Sequence, residues 1–227
     1  MQITEVHKSL QGESTYAGLP CVFVRLTGCN LRCSWCDTEY SFYGGKKMTH
    51  EQVLAEIERL SMAGGLVEIT GGEPMLQERE LVPFMQRLLD SGYKVLLETS
   101  GERPLDTVPA AVVKIVDVKC PGSGEGDTFR LENLETLTPH DEVKFVISDR
   151  RDYEFARDFT ARHELATQVN AVLLSPAFRK EASGARDASN CLLDPQELAE
   201  WMLQDNISAR LSLQIHKLIW DPALKGV

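Results

Sequence analysis

The chain has 227 residues, 43% of them hydrophobic and 26% charged, with 24 Lys and Arg against 34 Asp and Glu. This is the composition of an ordinary globular domain and excludes a disordered or collagen-like chain. The net charge of −10 repels a phosphate backbone, and nothing more basic than Lys46-Lys47 or Arg150-Arg151 offsets it, so no nucleic-acid partner is expected. No apolar run approaches the ~20 residues of a membrane helix. The start, Met1-Gln2-Ile3-Thr4-Glu5, has neither the basic nor the apolar region of a signal peptide, so a cytoplasmic protein without a membrane contact is expected.

In chain order, Cys21 to Thr27 is rich in β-branched residues and reads as a strand, with Arg25 as its odd charge. Thr49-His50-Glu51-Gln52 reads as a capping box, followed by Val53, Leu54, Ile57 and Leu60 at helical spacing and a stop at Gly64-Gly65. Leu66 to Thr70 is a short strand running into Gly71-Gly72-Glu73-Pro74. A helix carrying Leu81, Phe84, Met85, Leu88 and Leu89 follows, ending near Ser91-Gly92. Further strands are expected at Tyr93 to Glu98, Val112 to Val118, Glu142 to Ile147, Asn170 to Leu174 and Leu211 to Ile215. Helices are expected at Asp152 to Arg162 and after Asp194-Pro195, where Pro suits the first helical position; no long helix is expected between Pro121 and Thr138.

Strands alternating with helices imply a parallel sheet, and six or seven strands are too few for a full eight-stranded barrel. The expectation is one α/β domain over residues 1–227, a partial (β/α) barrel of about six parallel strands. Its working edge is where the strands end. The conspicuous loops all follow strands, so one mouth could gather them.

Of the six cysteines, Cys21, Cys120 and Cys191 are isolated and read as small buried hydrophobes. Cys29, Cys33 and Cys36 fall within eight residues, in the spacing C-x-x-x-C-x-x-C. Three thiolates so placed suit an iron–sulfur cube with one iron left open. They also suit a zinc site completed by His50, His7 or Cys21. A third possibility is a dithiol pair, Cys33-Ser34-Trp35-Cys36. The residue types alone leave all three open.

The cysteine spacing, followed after the next strand by Gly71-Gly72-Glu73-Pro74, resembles the radical S-adenosylmethionine superfamily. Leu10-Gln11-Gly12-Glu13, Gly18-Leu19-Pro20, Phe23-Val24-Arg25-Leu26, Gly28 to Cys33, Trp35 to Tyr40 and Leu213 to Lys217 narrow the resemblance to the 7-carboxy-7-deazaguanine synthase family of queuosine biosynthesis. The resemblance implies that Cys29, Cys33 and Cys36, in a loop at 28–40, hold a [4Fe–4S] cluster. The methionine part of S-adenosylmethionine would chelate the open iron. It implies cofactor contacts from Trp35, Cys36, Asp37, Gly72 and Glu73, with Glu73 accepting from the cofactor ammonium. Asp117, Val118 and Lys119 stand where relatives often show Ser-Pro-Lys, and Ser175 where a Gln is frequent; these are the remaining expected cofactor contacts. Leu10, Gln11, Gly12, Glu13, Arg25 and Thr70 are the expected substrate contacts, and Thr38 the expected Mg²⁺ ligand.

The implied reaction converts 6-carboxy-5,6,7,8-tetrahydropterin to 7-carboxy-7-deazaguanine. Hydrogen is taken from C6, the ring contracts and ammonia is lost. A flavodoxin-like electron donor and a homodimer are implied as well. The His216-Lys217 pair is expected near the pocket, and no role is carried over to the residues after Pro222. The competing readings are an activating enzyme for glycyl-radical proteins, which shares the cysteine spacing but has no use for Leu10 to Glu13 or Arg25, and a non-catalytic iron–sulfur or zinc module.

Overall fold

The computed structural model describes residues 1–61, 63–180 and 184–227. Its strands are β1 (Gln2–Leu10), β2 (Pro20–Leu26), β3 (Lys46–Lys47), β4 (Leu66–Gly71), β5 (Lys94–Thr99), β6 (Val113–Asp117), β7 (Glu142–Ile147), β8 (Ala171–Pro176) and β9 (Arg210–Leu211). The helices are α1 (His50–Leu60), α2 (Glu78–Asp90), α3 (Arg150–Arg162), α4 (Leu165–Gln168), α5 (Pro195–Gln204) and α6 (Ile215–Ile219). One sheet contains all nine strands in the order β3-β1-β2-β4-β5-β6-β7-β8-β9. From β2 to β9 every neighbouring pair is parallel. With β3 and β9 at its edges the sheet is an open, partial barrel, and β2 and β4 to β8 are its six long parallel strands.

Three features differ from the sequence reading. The N-terminal segment, read as a loop, is the nine-residue strand β1, paired antiparallel with β2 and β3. Its charges at Glu5, His7 and Lys8 masked the alternation, and with so few apolar residues it lies towards the sheet edge. The closing strand is only Arg210–Leu211, and Ile215 opens α6 instead. Helix α1 ends at Leu60, ahead of Gly64-Gly65. Its capping box is present as expected, with Thr49 accepting from the Gln52 N–H and Gln52 from that of Thr49.

Alternation along the strands divides the sheet into two faces. Val22, Val24 and Leu26 of β2, Val67 and Ile69 of β4, and Val143, Phe145 and Ile147 of β7 face the helices in the main core. Leu81, Phe84, Met85 and Leu88 of α2 meet them, with Tyr153, Ala156 and Phe159 of α3. The other face carries a small apolar plug of Cys21, Leu66, Leu96, Val113 and Ile115, backed by Tyr16 and Phe23. Towards the strand ends this second face turns polar: Arg25, Glu68, Thr70, Glu98, Asp117 and Lys144 all line one cavity.

Residues 121–138 contain two 3₁₀ turns and no long helix. Buried Asn133 organises them, donating to the carbonyls of Gly101 and Arg103 and accepting from the Leu105 N–H. This ties the segment to the loop after β5. Asn133→Ala leaves the Arg103 carbonyl and the Leu105 N–H without partners and is expected to cost about 2–3 kcal/mol, measured as a fall in the urea midpoint.

Candidate active site

The cysteine loop leaves the end of β2 and is closed by the Gly28 N–H donating to the Ser41 carbonyl at 2.8 Å. It is tacked to the turn after β6: the Ser34 N–H donates to the Ser123 carbonyl at 3.0 Å, and the Arg32 N–H to Glu125 at 2.6 Å. Cys29, Cys33 and Cys36 are free and half-buried, and all three line the cavity. Burial pushes the Cys29 thiol up against an opposing backbone N–H from Leu31. Burial also pushes Cys33 up to about 11, with Lys119 opposing and Asp117 and the other two thiols adding to the rise. Cys29 and Cys33 therefore hold their protons until a metal displaces them.

The turn after β4 packs directly on this loop. The Glu73 N–H donates to the Gly28 carbonyl at 2.8 Å. A Cβ on Gly72 would stand 2.3 Å from that carbonyl oxygen and 2.6 Å from Cβ of Cys29. Gly71, at φ +156°, lies against the backbone of Leu26, where a Cβ would come to 2.4 Å. The Glu73 carboxylate is 1% exposed. One oxygen accepts from the Met75 N–H and the Thr99 hydroxyl, the other from the N–H and hydroxyl of Ser100. Those four donors fill its lone pairs. Glu73 lines the cavity, and its carboxylate also clamps the end of β5.

On the cavity floor, buried Lys144 donates to Glu13 at 2.8 Å and to Glu98, and lies 3.6 Å from Asp117. Asp117 also pairs with Lys119 at 2.9 Å. Burial works to raise the Glu13 carboxyl, but Lys144, with His216 and Gln214, outweighs it and holds the group well below the ordinary carboxylate range. Burial likewise opposes charge on Lys144, and its three acidic neighbours overcome it. Among the described residues, the other oxygen of Asp117 is buried without a partner.

The remaining expected residues sort cleanly. Leu10, Gln11, Gly12, Glu13, Trp35, Asp37, Thr38, Thr70 and Lys119 stand on the cavity wall. Arg25 does too, but its Nε is committed to Glu5 at 2.8 Å, so it is both an ion-pair partner and a cavity residue. Gly12 admits the ring of His216, since a Cβ there would meet Nδ1 at 2.0 Å. Lys217 bridges to Asp37 at 2.5 Å and so ties α6 to the cysteine loop. Two residues are not brought to the wall. Val118 is fully buried in the helix-side core, and Ser175 is buried in β8, its hydroxyl without a partner among the described residues. Glu68, Glu98 and Lys144 were missed, although the argument applied to Arg25, a charge in an apolar strand, fits each of them. Residues 222–227 also line the cavity; no sequence signal marked them.

The family model for the Radical SAM superfamily matches residues 23–118, which run from β2 through the cysteine loop and the Gly71-Gly72-Glu73 turn to β6. The fold and the site therefore define a radical S-adenosylmethionine enzyme. A 7-carboxy-7-deazaguanine synthase from Koribacter versatilis (strain Ellin345) is 68% identical over 227 residues, all of both chains. Another from Chlorobaculum tepidum is 37% identical over 100% of this chain and 97% of its own. The crystal structure of QueE from Escherichia coli superposes with a TM-score of 0.69 at 25% identity, covering 93% of this chain and 92% of that one. The chain belongs to the 7-carboxy-7-deazaguanine synthase family.

Membership of the radical SAM superfamily implies a [4Fe–4S] cluster and S-adenosylmethionine, and the donor set fits them. Three soft thiols on one loop, all lining the cavity, suit three corners of a cube. Gly72→Ala is expected to prise the two loops apart. Anaerobically reconstituted variant protein should hold less than half the iron and sulfide per chain of wild type, read by chemical analysis.

Proposed function

We propose that this enzyme converts 6-carboxy-5,6,7,8-tetrahydropterin to 7-carboxy-7-deazaguanine with loss of ammonia. The observation that carries the reading is that the cysteine loop and the Leu10 to Glu13 segment share one cavity of about 480 Å³. That volume suits small molecules and gives no reason for the alternative, activation of a protein glycyl radical.

Cys29, Cys33 and Cys36 would hold the cluster. When bound, the cluster and S-adenosylmethionine supply the radical that takes hydrogen from C6 of the substrate. The residues of this chain bind, orient and exclude water. Trp35, Asp37, Gly72 and Lys119 are the proposed cofactor contacts, with Asp117 presenting its unpaired oxygen. Gln11, Gly12, Glu13 and Thr70 take the heterocycle. Arg25, whose Nε is committed to Glu5, offers its other N–H groups to the substrate carboxylate. Thr38 is the proposed Mg²⁺ ligand, a hard oxygen suited to an ion that keeps most of its waters. A flavodoxin-like donor, a homodimer and a cytoplasmic home complete the proposal. Among the described residues no helix is long and apolar enough to cross a membrane.

The test is anaerobic reconstitution and incubation with S-adenosylmethionine, dithionite and the pterin, with products read by mass. A deazaguanine carboxylate is the expected product; recovery of unchanged pterin from cluster-loaded enzyme would sink the proposal. Cys29→Ala should lack the brown cluster absorbance, and equal absorbance per mole would refute ligation by Cys29. Thr38→Ala should raise the Mg²⁺ needed for half-maximal turnover about tenfold or more; an unchanged requirement rules out direct coordination.

A further inference from the structure

Among the described residues, Glu68 is the carboxyl of the cavity floor that has no ion-pair partner. Glu13, Glu98 and Asp117 all reach Lys144, and Asp117 reaches Lys119 as well. Glu68 is 1% exposed and receives one hydrogen bond, from the Gln11 amide to Oε2 at 2.8 Å. Among the described residues Oε1 has no protein partner, although Glu68 lines the cavity. Gln11 is fixed in turn, its own oxygen accepting from the Glu13 N–H at 2.5 Å. The groups around Glu68 are Gln11 and Glu13 from the loop after β1, Cys21 of β2, Glu98 of β5 and Lys144 of β7. Burial, then Glu98, push its carboxyl up to about 8, with Gln11 opposing, Glu13 adding and Lys144 opposing. An acceptor that faces the cavity and that the protein leaves unmet is open to a ligand.

Its depth says which part of a ligand it meets. Arg25 and Thr70 are register partners near the strand ends, while Glu68 pairs with Phe23, one layer further in. Two residues along a strand span about 7 Å, the scale of a fused two-ring heterocycle. A carboxylate held by Arg25 at the upper layer therefore leaves the opposite end of the ring system at Glu68.

We propose that Glu68, braced by Gln11, hydrogen-bonds the nitrogen-rich edge of the substrate heterocycle remote from its carboxylate, and so fixes which way round the ring enters. This rests on the substrate reading above. The remote edge of a pterin carries an amino group beside a ring amide. A carboxyl answers such an edge, whereas an aliphatic side chain would leave it unpaired.

The test compares binding of two unreactive ligands to cluster-loaded, S-adenosylmethionine-bound protein: 6-carboxypterin, and pyrazine-2-carboxylate, which keeps the acid and lacks the remote ring. Glu68→Leu should weaken 6-carboxypterin at least tenfold and leave pyrazine-2-carboxylate within twofold. Glu68→Gln, which keeps a donor and an acceptor, should stay within about threefold for both. Equal weakening of both ligands, or 6-carboxypterin binding by Glu68→Leu within twofold of wild type, overturns the proposal. If loaded wild type binds no 6-carboxypterin, the substrate reading itself has failed. Thermal melting supplies a second readout. Folding raises this carboxyl from 4.5 to about 8, so the stability it withholds grows as pH climbs through that window. Glu68→Gln should therefore melt above wild type at pH 8, with the gap closing towards pH 5. A lower melting point for Glu68→Gln at pH 8 would mark Glu68 as a structural residue and overturn the proposal.

Discussion

Two loops of this protein touch only because one residue has no side chain. Gly72 lies against the Gly28 carbonyl and Cβ of Cys29, at distances no Cβ tolerates. That contact fixes the turn after β4 onto the cysteine loop, and the buried Glu73 carboxylate then fixes the same turn to the end of β5. Three strand ends, β2, β4 and β5, are thereby locked together at the point where the thiols gather. A radical enzyme needs this kind of rigidity, since a small displacement of reacting atoms is costly in rate and stray water quenches reactive species.

Beneath that contact the sheet carries an unusual density of charge. Lys144 joins three carboxylates from three different segments, so the floor is cross-linked by electrostatics rather than packed by apolar side chains. Breaking such a buried network by removing one partner typically costs ~3–5 kcal/mol. The floor is thus rigid by construction, and Glu68 stands out against it as the carboxyl left for a ligand to satisfy.

Much of the fold was legible because the helix-facing sides of the strands are near-continuous valine, isoleucine and leucine, and because Thr49 and Pro195 punctuate their helices. Strand β1 was not, since its charged residues hide the period-two alternation that marks a strand. The cysteine loop and the Gly71-Gly72-Glu73 turn were legible through their spacing. Glu68, Glu98 and Lys144 carried the same signal as Arg25, a lone charge within an apolar strand, and that signal gives no hint of which strands meet. Ser175 and Val118 show the converse. The resemblance to relatives suggested contacts there, but strand alternation put Val118 into the helix-side core, and Ser175 is buried within β8 away from the cavity wall.

The account turns on three thiolates occupying three corners of a cube and leaving the fourth iron for the cofactor. Mössbauer spectroscopy of protein reconstituted with ⁵⁷Fe, with and without S-adenosylmethionine, reads this directly. The expected result is a [4Fe–4S] spectrum in which one iron site in four shifts on adding the cofactor. A spectrum that the cofactor leaves unchanged, or protein that takes up no cluster iron at all, would contradict it.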